Sequence, residues 1–329
     1  MLTGRRGRSS ADPLPQAPSY DHVREPRPVP RELSDSASLR RAWLRAASLR
    51  PGCPPIVVSS ADGGAGRSTI VAALGAVLAA AMPQPPAAVD ATARGWGGLE
   101  HRVPRRNDGT VWDLFAALLH TGDLDPAVLD AAMQYGTSGL HTAIGEVRRT
   151  AIRRPTVLAE SVRVVEALRG RYSLVLVDAP VADVAGVWQL FAGACPVLVA
   201  RAGVDSVQHT LRLLSQLRGV GLDEAAARTV VAVTATVPRP AREVRAAVRQ
   251  LGTAVSVVVR VPFDEHLARP EPVDLARLRK PARHALVELA DAVLACCPAD
   301  PGQAAGLLSG PSPALAAAED TRSADGRAR

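Results

Sequence analysis

Short apolar runs alternate with longer stretches rich in Ala and Leu through the middle of the chain. The clearest run, residues 173–177, ends at Asp178 and is typical of a strand buried on both faces of a sheet. The alternation predicts the α/β class, with a mostly parallel sheet and helices on both faces. Strands are predicted over 56–60, 87–90, 139–144, 173–177, 195–200, 229–233 and 255–261, and helices over 68–81, 110–119, 126–133, 156–168, 206–217 and 282–296.

The two ends of the chain lack this alternation. The first residues are rich in Pro and Arg, and the last are rich in Gly, Ser, Pro and Ala; neither end shows periodicity, so both are predicted to be disordered. A short helix before the first strand is predicted to place Leu39, Trp43 and Ala46 on one face. We therefore divide the chain into a basic arm (1–34), a short helix (35–50), an α/β domain (51–298) and a tail (299–329).

Composition and charge narrow the class of protein. With 329 residues and 47% hydrophobic content, the chain can bury a large core, which excludes a wholly disordered protein. Of the net charge of +7, +5 comes from residues 1–50, with 10 Arg against 5 acidic residues, whereas residues 299–329 carry −1. The positive balance thus lies mostly in the first 50 residues, which either contact DNA or anionic lipid or only keep the chain in solution.

Cysteine usage and apolar segments indicate a cellular location. The four cysteines, Cys53, Cys195, Cys296 and Cys297, form no CxxC pair, and free thiols in a reducing cytoplasm are the simplest interpretation. No apolar segment follows the N-terminal arginines, and the run at 70–82 is too short to cross a bilayer. We therefore predict a cytoplasmic protein with no secretory signal and no transmembrane segment.

The segment most informative about chemistry is Ser-Ala-Asp-Gly-Gly-Ala-Gly-Arg-Ser-Thr at 60–69, which follows a predicted strand and opens a predicted helix. Glycines allow backbone N–H groups to surround an anion, and a helix N-terminus attracts negative charge. The segment therefore predicts a phosphate-binding loop, although a tight turn with glycines needed only for packing would have the same pattern. The candidate nucleotide-binding residues in it are Asp62, Gly63, Gly64, Ala65, Gly66, Arg67, Ser68 and Thr69, with Ser68 as a Mg²⁺ ligand.

The loop resembles that of the ParA/MinD family of deviant Walker A ATPases, whose pattern is Lys-Gly-Gly-x-Gly-Lys-(Ser/Thr)-(Thr/Ser). Four further segments are similar to the family: 89–92 to its switch I, 172–180 to its switch II strand, 197–206 to the next strand and its loop, and 261–267 to a late Pro-aromatic-Asp segment. The resemblance covers about residues 54–298 and implies a P-loop fold that binds ATP and Mg²⁺. It also implies that Asp90 lies at the nucleotide and that Asp178 holds Mg²⁺ through water.

Four positions depart from the family pattern. Asp62 stands where the family has a lysine that crosses to the partner in a nucleotide-sandwiched dimer, and Arg67 replaces the lysine that grips the β and γ phosphates. Thr92 replaces the acid that positions the attacking water, and Thr234 replaces an adenine-contacting Asn. A reversed charge beside phosphate and a lost water-orienting acid both predict slow or absent hydrolysis. Whether Asp62 faces the phosphate or a neighbouring arginine stays open at this point.

The resemblance therefore implies an ATP-binding regulatory or scaffold protein with weak or no ATPase activity. It would act through a protein partner or self-association in partition, positioning, secretion or conjugation. Two alternatives stay open: a nucleotide-free pseudo-ATPase that binds DNA, through the basic arm, or a protein partner; and an active ATPase that uses Arg67 in place of lysine. The slightly acidic tail differs from the basic amphipathic helix with which MinD relatives reach membranes.

Overall fold

A computed structural model describes residues 37–94, 98–136, 138–182, 186–239 and 242–297. The arm and the tail predicted from the sequence lie outside these residues. The strands are β1 (Ile56–Ser59), β2 (Ala87–Asp90), β3 (Gln134–Tyr135), β4 (His141–Ala143), β5 (Val175–Asp178), β6 (Cys195–Arg201), β7 (Val230–Thr234) and β8 (Val257–Val261). The helices are α1 (Ala37–Ser48), α2 (Arg67–Ala81), α3 (Val111–Thr121), α4 (Pro126–Ala132), α5 (Leu158–Arg169), α6 (Val187–Ala192), α7 (Val204–Gly219), α8 (Asp223–Arg228), α9 (Val244–Ala254), α10 (Glu265–Ala268) and α11 (Lys280–Cys296).

The strands form one eight-stranded sheet in the order β3-β4-β2-β5-β1-β6-β7-β8. Every pairing is parallel except that of the two-residue edge strand β3 with β4. The predicted α/β class and mostly parallel sheet are therefore confirmed. Because β1 lies between β5 and β6, the loop that follows β1 emerges at the middle of the carboxyl edge of the sheet, where ligands of such sheets bind.

Alternate residues of each strand enter two hydrophobic cores, one on each face of the sheet. Ile56 and Val58 of β1 pack with α1, α2 and α11, whereas Val57 packs with α3 and α5 to α9 on the other face. All three side chains are fully buried. Since each fully buried Val or Ile contributes about 1.5–3 kcal/mol, β1 is firmly fixed, and the loop after it starts from a rigid base.

The predicted face of the first helix was partly wrong. Leu39 and Ala46 are buried against α11 and α2, as predicted, but Trp43 is 51% exposed. The buried stripe instead runs through Leu39, Ala42 and Ala46, which follow the three- and four-residue spacing of a helix. None of the described helices is long and apolar enough to span a bilayer.

The prediction of four free thiols was also wrong. Cys195 at the start of β6 and Cys297 just after α11 form a disulfide, although 102 residues separate them in sequence. Cys53 and Cys296 are free. The pairing follows from the packing of α11 across β6, which brings the two Cα atoms to 5.5 Å, and no spacing pattern in the sequence signals it.

Gly75 provides a test of how tightly α2 packs on the sheet. A Cβ at this mid-helix position would lie 2.6 Å from Cδ2 of buried Leu140, so Gly75→Ala should lower the free energy of unfolding by about 1–3 kcal/mol through overpacking. Gly252 in α9 is the matched control. A Cβ there meets nothing within 4 Å, so Gly252→Ala should raise stability by about 0.5–1 kcal/mol.

Urea denaturation of both variants measures the two changes. Equal stabilisation by both substitutions would contradict the close approach of α2 to Leu140. The same Gly75→Ala change in a Leu140→Ala background should no longer destabilise, because its clashing atoms are gone.

Candidate functional site

The loop between β1 and α2, residues 60–66, will be called the glycine loop. Gly64 (φ 69°) and Gly66 (φ 92°) adopt the left-handed conformation that favours glycine, and Gly66 is the N-cap of α2. Gly63 faces open space, since a Cβ added there would meet nothing within 4 Å, while Ala65 is buried. The loop therefore delivers the N-terminus of a 15-residue helix to the middle of the sheet edge, which is a favourable place for an anion.

Two predicted acids meet beside this helix N-terminus. Asp90 and Asp178 end the neighbouring strands β2 and β5 and are paired in the parallel register, and both are buried. Burial, followed by repulsion from Asp90, raises the pKa of Asp178 to about 7, although Ser68, Arg67 and Arg94 act in the opposite direction. Asp178 is thus poised between its neutral and charged forms near neutral pH.

The two acids differ in their hydrogen bonding. Asp90 Oδ1 accepts from the Thr92 backbone N–H (3.0 Å) and the Thr92 hydroxyl (2.6 Å), and Oδ2 accepts from Leu99 N–H (3.4 Å). Neither oxygen of Asp178 accepts a hydrogen bond of normal geometry from the described residues, although the Ser68 hydroxyl is close enough to affect its pKa. A buried carboxylate oxygen without a partner is costly, and a cation-bound water is a suitable partner for it.

Arg67 contacts its own loop. Its guanidinium Nη1 donates to the Ser60 hydroxyl (2.7 Å), and that hydroxyl donates to the Asp62 carbonyl oxygen. The side chain is nearly buried and lies close enough to Asp178 to lower the pKa of that carboxyl. Arg67 therefore stabilises the conformation of the glycine loop through Ser60.

Asp62 is paired with a histidine of α7. Its Oδ1 lies 2.6 Å from Nδ1 of His209, and the pair spans 147 residues of sequence. Partial burial raises the pKa of Asp62, but hydrogen bonds from Ser206 and His209 and the charges of His209 and Arg201 outweigh it, and the net pKa is lowered. The structure therefore gives Asp62 a histidine partner that the sequence did not suggest, with Arg201 as a neighbouring positive charge.

Thr234, at the end of β7, holds the other side of the glycine loop. Its hydroxyl donates to the carbonyl oxygen of Ala65 at 2.8 Å. Thr69, in the first turn of α2, lines a cavity of about 260 Å³ together with Gly64, Gly66 and Thr234. The structure thus brings all the predicted loop residues, Asp90 and Asp178 to one end of the sheet.

Sequence reasoning missed several residues of this site. Ser60 and His209 were given no role, although they contact Arg67 and Asp62. Ala93 has a positive φ of 57°, which is uncommon for a residue with a side chain, and Arg94 directly after it acts on Asp178. Long-range packing reveals His209, the folding of the loop onto itself reveals Ser60, and the backbone angle reveals Ala93.

Asp178→Asn tests the electrostatic cost of the buried acid. Because the folded pKa is raised, the stability that this group contributes is fully present below its unfolded pKa and is lost as pH rises through about 7. The amide cannot ionise, so the variant should be more stable than wild type at pH 8 by roughly 2–4 kcal/mol, and by less than half as much at pH 5, where the unfolded acid is already ionised and the folded one is not. Chemical denaturation at both pH values measures this, with exposed Asp108→Asn as the control. A difference that does not change with pH would contradict the assignment.

His209→Ala tests the contact with Asp62. Loss of the hydrogen bond and the charge should raise the pKa of Asp62, which can be followed by ¹³C carboxyl NMR during a pH titration. Because the folded pKa of Asp62 is lowered, its stabilising effect is present above its unfolded pKa and is lost as pH falls through the folded value. The exposed His120→Ala is the matched control, and a pKa of Asp62 that is unchanged by His209→Ala would show that the pair contributes nothing in solution.

Comparison with known sequences gives one distant relationship. No protein-family model matches the chain. The ESX-1 secretion-associated protein EspI of Mycobacterium tuberculosis is 28% identical over 259 residues, which cover 74% of this chain and 36% of EspI. The chain therefore spans about a third of the length of the curated relative it matches.

Comparison with solved structures identifies the fold. A ParA family ATPase from Chlorobium tepidum matches with a TM-score of 0.55 and 18% identity, over 73% of this chain and 98% of that one. MinD in the MinC:MinD cell division complex of Aquifex aeolicus matches with 0.52 and 20%, over 72% and 94%. MinD of Pyrococcus horikoshii, complexed with Mg-ADP, matches with 0.50 and 18%, also over 72% and 94%. The chain has the ParA/MinD-type fold.

Proposed function

We propose that this chain binds ATP with Mg²⁺ at the glycine loop and acts as a regulatory or scaffold protein with weak or no ATP hydrolysis. One observation carries the proposal: the buried carboxylate of Asp178 accepts no hydrogen bond of normal geometry from the described residues, and it lies beside the N-terminus of α2, the helix that follows the left-handed glycine loop. The Mg-ADP bound to a MinD of the same fold supports this use of the site.

The residues present fit both parts of the ligand. The backbone of Gly63 to Gly66 and the N-terminus of α2 suit the phosphates, and Thr69 lies where it would touch an inner phosphate. Ser68 would hold Mg²⁺ directly and Asp178 through water, while Asp90 supports the geometry beside them. When bound, the metal would neutralise phosphate charge and fix the phosphate geometry.

Three side chains support the proposal that ATP hydrolysis is slow or absent. Arg67 is bonded to Ser60, and a planar guanidinium does not reproduce the compact charge of a lysine ammonium. Thr92 donates its hydroxyl to Asp90 and has no carboxylate with which to orient water, a role worth roughly 10²–10⁴-fold in rate. Asp62 brings negative charge to a loop meant for phosphate, so it opposes an anionic ligand unless it stays paired with His209.

The likeness to EspI supports a role in secretion over the other processes that the fold allows. A regulatory protein of this kind would act on a protein partner, as the MinD of the MinC:MinD complex does with MinC. DNA binding through the basic arm stays a prediction, to be tested by whether deletion of residues 1–34 removes salt-dependent binding.

A titration with a fluorescent ATP analogue tests the nucleotide site. Wild type should bind in the micromolar range only with Mg²⁺, and Asp178→Asn should reduce the dependence on Mg²⁺ because the acceptor of metal-bound water has lost its charge. Arg67→Ala should weaken ATP binding at least tenfold, because the glycine loop loses the hydrogen bond from Arg67 to Ser60 and the phosphates lose a nearby cation. Arg249 is an exposed arginine on α9, far in sequence from the glycine loop. Arg249→Ala removes one positive charge, as Arg67→Ala does, and should bind ATP as wild type does.

The same preparations distinguish the alternatives. No binding by wild type up to millimolar ATP would overturn the proposal and favour a nucleotide-free scaffold. Steady-state ATP turnover above about 1 s⁻¹ that Arg67→Ala abolishes would show an active ATPase, since typical enzymes turn over at 1–10³ s⁻¹. Binding without such turnover is the expected result.

A further inference from the structure

The cavity of about 260 Å³ beside the glycine loop, which we call the loop cavity, has two different walls. One wall is formed by the glycine loop and the start of α2, and the other by residues 261–268. Ile70, Val261, Pro262 and Leu267 make most of the lining apolar. A cavity with apolar walls next to a phosphate-binding loop suits the flat, uncharged part of a nucleotide, and this inference therefore rests on the proposed function.

Two of the polar side chains in the loop cavity are already engaged by the protein. Asp264 Oδ1 accepts from the backbone N–H groups of His266 (2.9 Å) and Leu267 (3.3 Å), and Oδ2 accepts from Arg279 N–H (2.8 Å). The hydroxyl of Thr234 donates to the Ala65 carbonyl. The hydroxyl proton of Thr234 is thus committed to the protein, and both side chains keep only the capacity to accept a hydrogen bond.

Arg102 is the cationic side chain in this lining. Its Nη1 donates to the carbonyl oxygens of Leu267 (3.2 Å) and Arg269, at the wall that lies across from the glycine loop. Its own carbonyl accepts from Val273 N–H at 2.9 Å. Burial lowers the pKa of Arg102, although Glu271 acts against this, and an arginine stays charged under such a shift. Arg102 therefore joins its own segment to residues 267–273 across the edge of the loop cavity.

The segment that carries Arg102 also touches the two acids. Leu99 donates its backbone N–H to Asp90, and a Cβ on Gly98 would lie 2.8 Å from the Ser68 hydroxyl and 3.7 Å from Asp178. The short 3₁₀ turn Leu99–His101 leads directly from these contacts to Arg102. One short stretch of chain thus borders both the metal side of the site and the loop cavity.

We propose that Arg102 is a specificity-determining residue that contacts the heteroaromatic base of the bound nucleotide and holds residues 267–269 against it. A guanidinium plane packs well on flat aromatic rings, and its charge makes such contacts stronger when water is excluded. The base is favoured over the phosphates as the contact because Arg102 is bonded to the wall across from the loop. Its removal should therefore affect a ligand with a base and spare a ligand without one.

Isothermal titration of the full chain with Mg-ATP and with Mg-tripolyphosphate tests the proposal. Arg102→Ala should weaken ATP binding about 3- to 30-fold, the range of contacts between a cation and an aromatic ring, and change tripolyphosphate binding less than twofold. Arg102→Lys keeps the charge without the planar fork and should be intermediate. Arg105→Ala, an arginine of the same segment that pairs with Glu100 and Asp108, should bind both ligands as wild type does.

Each outcome of the titration bears on one of the two proposals. Wild type that binds neither ligand overturns the nucleotide site and this inference with it. Wild type that binds ATP, with Arg102→Ala unchanged, overturns only the role of Arg102. Equal weakening of both ligands shows a phosphate or structural role and also overturns it. If Arg102→Ala does not fold, Arg102→Gln, which can still donate to a carbonyl, takes its place with the same expected split.

Discussion

The burial of the Asp178 carboxylate is the constraint on which the arrangement of the sheet edge depends. The strand register places it beside Asp90, a second acid, in a setting where a lone charge is expensive. The surroundings reduce this cost in two ways. The start of α2 and the arginines at 67 and 94 bring positive potential, and the raised pKa lets the group take up a proton near neutral pH. A protein that needed Asp178 only for stability would gain by replacing it with an amide, so its presence is best explained by a ligand.

Asp62 stands where the resemblance implies a lysine, and the structure pairs it with a histidine of the same chain. Two like charges 4 Å apart at an effective dielectric constant of 20 repel by about 4 kcal/mol, which is enough to block an anionic ligand. His209, from a helix 147 residues away in the chain, holds the carboxylate at 2.6 Å. The carboxylate of Asp62 is thus held within its own chain.

Much of this structure could be predicted because its strands are buried on both faces. Short, continuous apolar runs such as 173–177 are typical of strands buried on both faces, and each predicted strand occurs within a few residues of its expected bounds. The two-residue strand Gln134–Tyr135 is too short to leave a pattern, and the helix Val244–Ala254 was missed between predicted strands. Contacts such as Cys195 with Cys297, Ser60 with Arg67, or Arg102 with Leu267 depend on which elements the fold brings together. Such contacts are set by tertiary packing, which one sequence does not encode as a local signal.

The bonds inside the glycine loop have opposite consequences for the proposed nucleotide binding and for hydrolysis. Arg67 holds one side of the loop through Ser60, and Thr234 holds the other through the Ala65 carbonyl, so the backbone groups are in place before any ligand arrives. A preorganised loop loses little conformational entropy on binding, which favours affinity. To stabilise the negative charge that develops on the phosphate during hydrolysis, however, the Arg67 guanidinium must break its hydrogen bond to Ser60. The glycine loop then loses part of its stabilisation. Catalysis requires an interaction that is stronger in the transition state than in the ground state, and a cation committed to the resting loop works against that requirement. If the loop binds nucleotide as proposed, the contact between Arg67 and Ser60 therefore favours binding and works against hydrolysis.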